Sequence, residues 1–251
     1  MISLYKDIEF IEEQKPCSYF NDKLSDIRYK YMNNCSKVEL QNMLEHGWRR
    51  FGHMHFVPEC RSCTKCISIR IDINKYIFSK SNKRLLSKHK NTKIVIQPPS
   101  ISIQHLKLYD KYHSFMNNKK KWPYNKIDPE EYIRSYVKGG TKFAKEILYF
   151  IDNRLVCVAL CDILDNALSS IYCFYDHDYQ NYSLGQYSIL YQLKLAKELN
   201  IRYIYLGYWI KDHFSMGYKE KYQPFEILVN RSNLDKIALW KEYNPLSDIL
   251  Y

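Results

Sequence analysis

A chain of 251 residues can bury a sizeable core, in one large domain or in two closely packed halves. Lys and Arg number 38 against 27 Asp and Glu, a formal +11 that favours a polyanionic partner such as nucleic acid, and 24 tyrosines among the cations add faces on which bases can stack. No stretch reaches the roughly 18 consecutive apolar residues of a membrane span, and the acidic start MISLYKDIEFIEEQK lacks a signal-peptide apolar region, so a cytoplasmic protein with no membrane partner is expected.

In a reducing compartment the eight cysteines read as core thiols or metal ligands rather than as a disulfide framework. Residues 57–70, VPECRSCTKCISIR, set Cys60, Cys63 and Cys66 in consecutive C-x2-C steps, a spacing that lets thiolates converge on one ion. Cys17, in KPCSYF, is the candidate fourth ligand, with His53 and His55 as alternatives. Zinc and an iron–sulfur cluster both remain open, as does a local turn with unligated thiols. Cys157, Cys161 and Cys173 fall in β-like runs and read as core.

The first boundary signal is NTKIVIQPPSISI at 91–103, where a Pro-Pro pair follows a short strand-like run. It divides the chain into a cysteine-bearing part, 1–95, and a more regular part, 96–251. Residues 104–117 place Leu106, Tyr109, Tyr112 and Met116 at helical spacing, and 129–138 opens with Pro129, where a first-turn proline is tolerated. Strands follow at 146–151 and 154–163, joined by a hairpin turn at Asp152-Asn153, and then at 168–175. An amphipathic helix at 184–199 carries Ile189, Leu190, Leu193, Ala196 and Leu199 on one face, and 201–209, IRYIYLGYW, reads as a central strand. The sum is a mixed α/β (α+β) fold.

Six motifs recur in one known order: PCSYF at 16–20, GWRRFG at 47–52, PECRSCTKC at 58–66, LSSIYCFYD at 168–176, YSLGQYSIL at 182–190 and YLGYWI…MGYKEKYQPFE at 205–226. Together they resemble the arginyl-tRNA–protein transferases, and more closely their bacterial leucyl-transferring branch, nearly end to end. The resemblance implies an acetyltransferase-like (GNAT-type) catalytic half behind the cysteine-bearing part. It also implies an aminoacyltransferase of the N-degron pathway, moving leucine from leucyl-tRNA to the N-terminal amine of proteins that begin with Asp or Glu, which marks them for degradation. An arginyl donor is the rival within the class; outside it stand a noncatalytic tRNA-binding module and an acetyl-CoA enzyme. Phe20 replaces the cysteine that follows PCSY in the arginyl branch, and Phe51 replaces a serine, so a cluster's ligand set does not transfer. The chemistry itself requires no cofactor.

Within that frame each residue has a role and a plainer alternative. Ser183, Leu184 and Gly185 open the helix, where free N–H groups favour a phosphate near the tRNA terminus; capping by Ser183 alone is the alternative. Tyr175 and Tyr205 are donor-binding candidates and Tyr172 and Tyr208 catalytic ones, with core packing as the alternative for about half of them. Lys219 is placed on a phosphate or ribose, against the ordinary fate of a solvated lysine. Arg49, Arg50 and Arg70 are candidates for the acceptor's carboxylate, because guanidinium binds it in a two-pronged fashion. Asp162 is the candidate to orient the incoming ammonium or act as a weak base, against a hydrogen-bonded strand-end aspartate.

Overall fold

β-Branched, aliphatic and aromatic residues concentrate between positions 144 and 209, and there the chain builds its central strands. A computed structural model describes residues 7–245. In chain order the elements are β1 (Ile8–Pro16), β2 (Leu24–Tyr31), α1 (Lys37–Glu45), β3 (Arg49–Phe51), β4 (Met54–Pro58), β5 (Ile67–Asp72), α2 (Lys80–Lys88), β6 (Lys93–Gln97), α3 (Ile103–Lys120) and α4 (Pro129–Tyr132). They continue with β7 (Ala144–Ile151), β8 (Arg154–Ile163), β9 (Ala167–Tyr175), α5 (Leu184–Glu198), β10 (Tyr203–Trp209), β11 (Glu226–Leu228) and β12 (Trp240–Glu242).

Two sheets result. A four-stranded sheet has the order β1-β2-β4-β3, and an eight-stranded sheet has the order β12-β11-β5-β10-β9-β8-β7-β6. Strand β8 is buried from Leu155 to Asp162, as a central strand covered on both faces must be. On one face α5 packs Leu190, Leu193 and Ala196 onto Ile147, Ala159 and Leu168. On the other, Leu108, Tyr112 and Met116 of α3 and Tyr132 of α4 meet Leu148, Val158, Leu160 and Phe174. Each face therefore has its own apolar core.

Local signals act where they are written. Asp152 and Asn153 both take positive φ, 49° and 59°, the twist that a two-residue hairpin between β7 and β8 demands. Asp128 caps α4 by accepting from the Glu130 N–H, with Pro129 in the first turn, and the helix then widens into a π turn over Ile133–Val137. The mixed α/β class is thus observed. Among the described residues no helix is long and apolar enough to cross a membrane.

The expected division at 95/96 is corrected. It falls inside β6, which pairs with β7 from Lys93↔Phe150 to Gln97↔Glu146, and β5 lies between β10 and β11. The two prolines end a strand instead of a domain. Glu146, fully buried, accepts from Gln97 Nε2 and Ser100 Oγ at 2.7 Å each and lies 3.3 Å from His105 Nε2, which pins the proline segment to the sheet.

Candidate active site

Strands β9 and β10 are parallel neighbours for three positions only: Tyr203↔Ala167, Ile204↔Leu168 and Tyr205↔Ser169. Beyond these they part. On its far edge β10 stays paired with β5, but its register shifts between Tyr205 and Gly207, where Gly207 takes φ +81°. That left-handed bulge suits glycine and bends β10 away from β9. The opening strands, joined through α5, form the strand–helix–strand unit expected of the acetyltransferase-like half.

Parting strands leave carbonyls without ladder partners, and two buried cations satisfy them. Arg49, from β3 of the small sheet, donates through Nη2 to the Ser170 carbonyl and through Nη1 to the Tyr205 carbonyl at 3.5 Å. It bridges both strands where their own bonding stops. Lys219, in the 3-10 turn Gly217–Lys221, donates to the Tyr208 carbonyl and is only 6% exposed. Its solvated alternative is therefore excluded. Burial, and secondarily the Arg49 charge, push its ammonium down to about 7.

The sign of that shift gives a stability prediction. Below about pH 7 the lysine is charged both folded and unfolded and its full burial cost is present; between 7 and the ordinary 10.5 only the unfolded chain holds the proton, so stability rises with pH. Lys219→Met should be more stable than the parent at pH 6, by an amount on the order of several kcal/mol, and should flatten the rise. Urea unfolding at pH 6 and pH 9.5 checks it; an equal rise in both proteins would refute the assignment.

At the mouth of the cleft, Ser183 takes φ 51° and its hydroxyl caps nothing. The capping-only reading of Ser183 is corrected by that geometry: a left-handed residue turns its side chain away from the helix it precedes. Leu184 is buried, and Gly185 lies so close to Tyr175 that an added Cβ would stand 2.9 Å from a ring carbon. Tyr175 in turn packs on Tyr112 and His177, with centroids 5.1 and 4.9 Å away. Gly185→Ala should displace the tyrosine and destabilise the fold by about 1–3 kcal/mol. Transfer kinetics should show a raised KM for the tRNA donor with a smaller change for the acceptor.

The remaining candidates separate. Arg50 points away from Arg49, as strand neighbours must, and forms a two-pronged ion pair with Asp162, Nε to Oδ2 at 2.8 Å and Nη2 to Oδ1. The side chains are 4% and 0% exposed, and Arg50 Nη1 also donates to the Gly52 and Gly139 carbonyls. Asp162 is thus corrected from ammonium orienter to internal counter-ion, and Arg50 from acceptor ligand to its partner. Arg70 donates to Glu226 at 2.7 Å and is sandwiched between the rings of Tyr203 and Trp240, at 3.9 and 4.4 Å. It lines an open pocket with Glu45, His46 and Lys236, apart from the cleft. The three arginines form no common pocket.

Tyr208 donates to the Gly47 carbonyl at 2.9 Å, and Tyr205 accepts from Arg70, so both hydroxyls are engaged in the scaffold while their carbonyls face the cleft. Tyr172 lies on the α3 side, stacked 5.6 Å from Tyr136 and bonded at 2.9 Å to His113 Nε2. Burial holds His113 down to about 4, so it is neutral near pH 7. Sequence reasoning gave His113 no partner, since the contact joins a helix to a strand in another part of the chain.

The four candidate metal ligands are neighbours: Cys66, pushed up to about 12 by burial, also feels Cys17, Cys60 and Cys63. They are free thiols, with Cys60 donating to the Asp26 carbonyl at 3.8 Å and Cys17 accepting from the Tyr19 N–H at 3.4 Å. Among the described residues no three His, Cys, Asp or Glu side chains are arranged to hold an ion. The donor set in this arrangement does not fit a metal, because its sulfurs are turned to backbone partners.

The comparisons with known proteins follow this layout. The family model described as "Arginine-tRNA-protein transferase, N terminus" matches residues 15–84, and its C-terminus counterpart matches 104–229. The chain is 45% identical to the aspartate/glutamate leucyltransferase of Helicobacter hepaticus over 94% of its own length and 98% of the relative's. It is 44% identical to that of Campylobacter jejuni, over 94% and 99%, and 31% identical to that of Leptospira interrogans, over 89% and 87%. Among solved structures, FemX matches over 77% of this chain and 67% of its own, at 10% identity and a TM-score of 0.49. With both halves of the family model matched in order and relatives this similar over nearly their whole length, the chain belongs to the arginine-tRNA-protein transferase family.

Proposed function

We propose that this protein transfers leucine from leucyl-tRNA to the N-terminal amine of proteins that begin with Asp or Glu, acting in the cytoplasm where charged tRNA is found. The relatives' shared name supports the donor and the acceptors. The observation that carries the chemistry is the cleft between β9 and β10, propped open by two buried cations at the start of α5.

The reaction is attack by a neutral α-amine on the aminoacyl ester, with the terminal ribose oxygen leaving. An α-amine has a reference pKa near 8, so roughly a tenth is neutral at pH 7 and modest base assistance suffices. Positioning and charge stabilisation must then supply most of the acceleration. The uncapped N–H groups after Ser183 receive the phosphates next to the terminal adenosine. Lys219 uses one of its three donors on Tyr208, and another is directed at the oxyanion of the tetrahedral intermediate. Arg49 is, of the three arginines, the one without a carboxylate partner among the described residues, and its remaining donors take the acceptor's side-chain carboxylate.

The test is direct. Incubated with leucyl-tRNA or arginyl-tRNA and peptides beginning with Asp, Glu or Ala, the protein should pass leucine, and not arginine, to the Asp and Glu peptides alone. Arginine transfer would replace the donor; transfer from neither would overturn the reading.

A further inference from the structure

Between Ile73 and Tyr109 the chain contains no Asp or Glu and eight Lys or Arg, an imbalance far beyond that of the whole sequence. The structure gathers much of it on one helix. In α2, Leu85 and Leu86 pack toward the core shared with α5, while Lys80, Lys83, Arg84 and Ser87, at i, i+3, i+4 and i+7, line the outward face and are exposed. Lys90 follows, also exposed. Among the described residues none of Lys80, Lys83, Arg84 and Lys90 has a carboxylate within ion-pair distance, although Lys and Glu pairs are common elsewhere on this surface.

The position of this face matters as much as its charge. The end of α2 is fastened to the turn that opens α5: Lys88 donates to the Asn181 carbonyl, His89 Nε2 bonds the Tyr182 carbonyl at 2.7 Å, and the His89 ring stacks on Tyr187 at 3.5 Å and 5°. Burial keeps His89 below its ordinary pKa, so Nδ1 and Nε2 serve this junction as a neutral ring. The row of free cations therefore runs, over the roughly 12 Å of a nine-residue helix, straight to Ser183 and the mouth of the cleft.

We infer that the outward face of α2, continued by Lys90, is the docking surface for the body of the tRNA, holding its phosphate backbone while the charged terminus enters beside Ser183. The inference rests on the proposed aminoacyl transfer for the identity of the polyanion. The spacing supports an extended phosphate backbone over a compact anion: the cations form a row on a convex helix, with no enclosing pocket, and such contacts bind without reading sequence. One acidic residue in the row would have broken it.

The experiment uses the full-length protein and deacylated tRNA, followed by fluorescence anisotropy at 50 and 150 mM salt. In K80Q/K83Q/R84Q/K90Q, which keeps good helix formers on an exposed face, affinity should fall at least about tenfold, and the slope of log K against log salt should become shallower by about 2–3, at roughly 0.7–0.9 per phosphate contact. The charge-conserving K80R/K83R/R84K/K90R should bind as the parent does. An unchanged affinity and slope in the neutral variant would overturn the inference, as would unchanged tRNA binding together with lost binding to vesicles of anionic phospholipid. Weakened tRNA binding in a protein that transfers no amino acid would sink the proposed activity and leave this surface standing; unchanged binding in a protein that does transfer leucine would do the reverse.

Discussion

Replacing Asp162 by alanine is expected to destabilise the protein by about 3–5 kcal/mol, because it strands the Arg50 guanidinium in a nearly dry interior. For a chain of this size that corresponds to a fall in Tm of roughly 10 °C. The Gly52 and Gly139 carbonyls would still accept from Arg50 but cannot neutralise it. Removing both charges is a different matter: Arg50→Met with Asp162→Leu should recover most of the loss, since apolar side chains of similar volume replace a buried pair at little cost. Transfer activity separates the roles. The double variant should retain it, and a stable but inactive double variant would return Asp162 to the chemistry.

Arg49→Met is expected to lower kcat/KM for an Asp-starting peptide about 100-fold, the loss that a displacement of about 1 Å in a reacting geometry can produce. Two carbonyls, of Ser170 and Tyr205, lose their donor where the strands part, which also costs on the order of 2–4 kcal/mol of stability. Arg49→Lys should restore the charge but not the bridge across both strands, and should recover little activity. If Arg49 meets the acceptor's carboxylate, the variant will also lose its preference for Asp over Asn peptides. Peptide competition at fixed leucyl-tRNA measures that ratio directly, and an undiminished preference would move the acceptor pocket elsewhere.

The parts of this molecule that were legible in its sequence are those whose cause is local. The hairpin at Asp152-Asn153, the proline at the head of α4 and the apolar face of α5 each follow from a few neighbouring residues, and the motif order identified the family before any coordinates. The site was legible by segment and not by contact. GWRRFG holds two adjacent arginines with opposite fates, because alternation along β3 sends Arg49 to the cleft and Arg50 to a carboxylate 112 positions away. Lys219 read as a surface lysine because nothing near it in the chain reveals that its turn folds under β10. The cysteine spacing predicted convergence, and the thiols are indeed neighbours, yet backbone partners set their directions. Pro98 and Pro99 suggested a border because proline breaks strands, whatever lies on either side.

The place of β5 in the large sheet has a consequence for biogenesis. Its hydrogen-bonding neighbours, β10 and β11, are made more than a hundred residues after it. While the ribosome is still at work, the first third of the chain therefore carries a β-branched strand, ISIRID, with both edges bare, the kind of segment that associates with other chains if left waiting. Closure of the sheet has to await nearly complete synthesis. A nascent-chain series stalled before and after residue 228 should show protease protection of β5 only in the longer members, and two separately expressed halves should need each other to stay in solution.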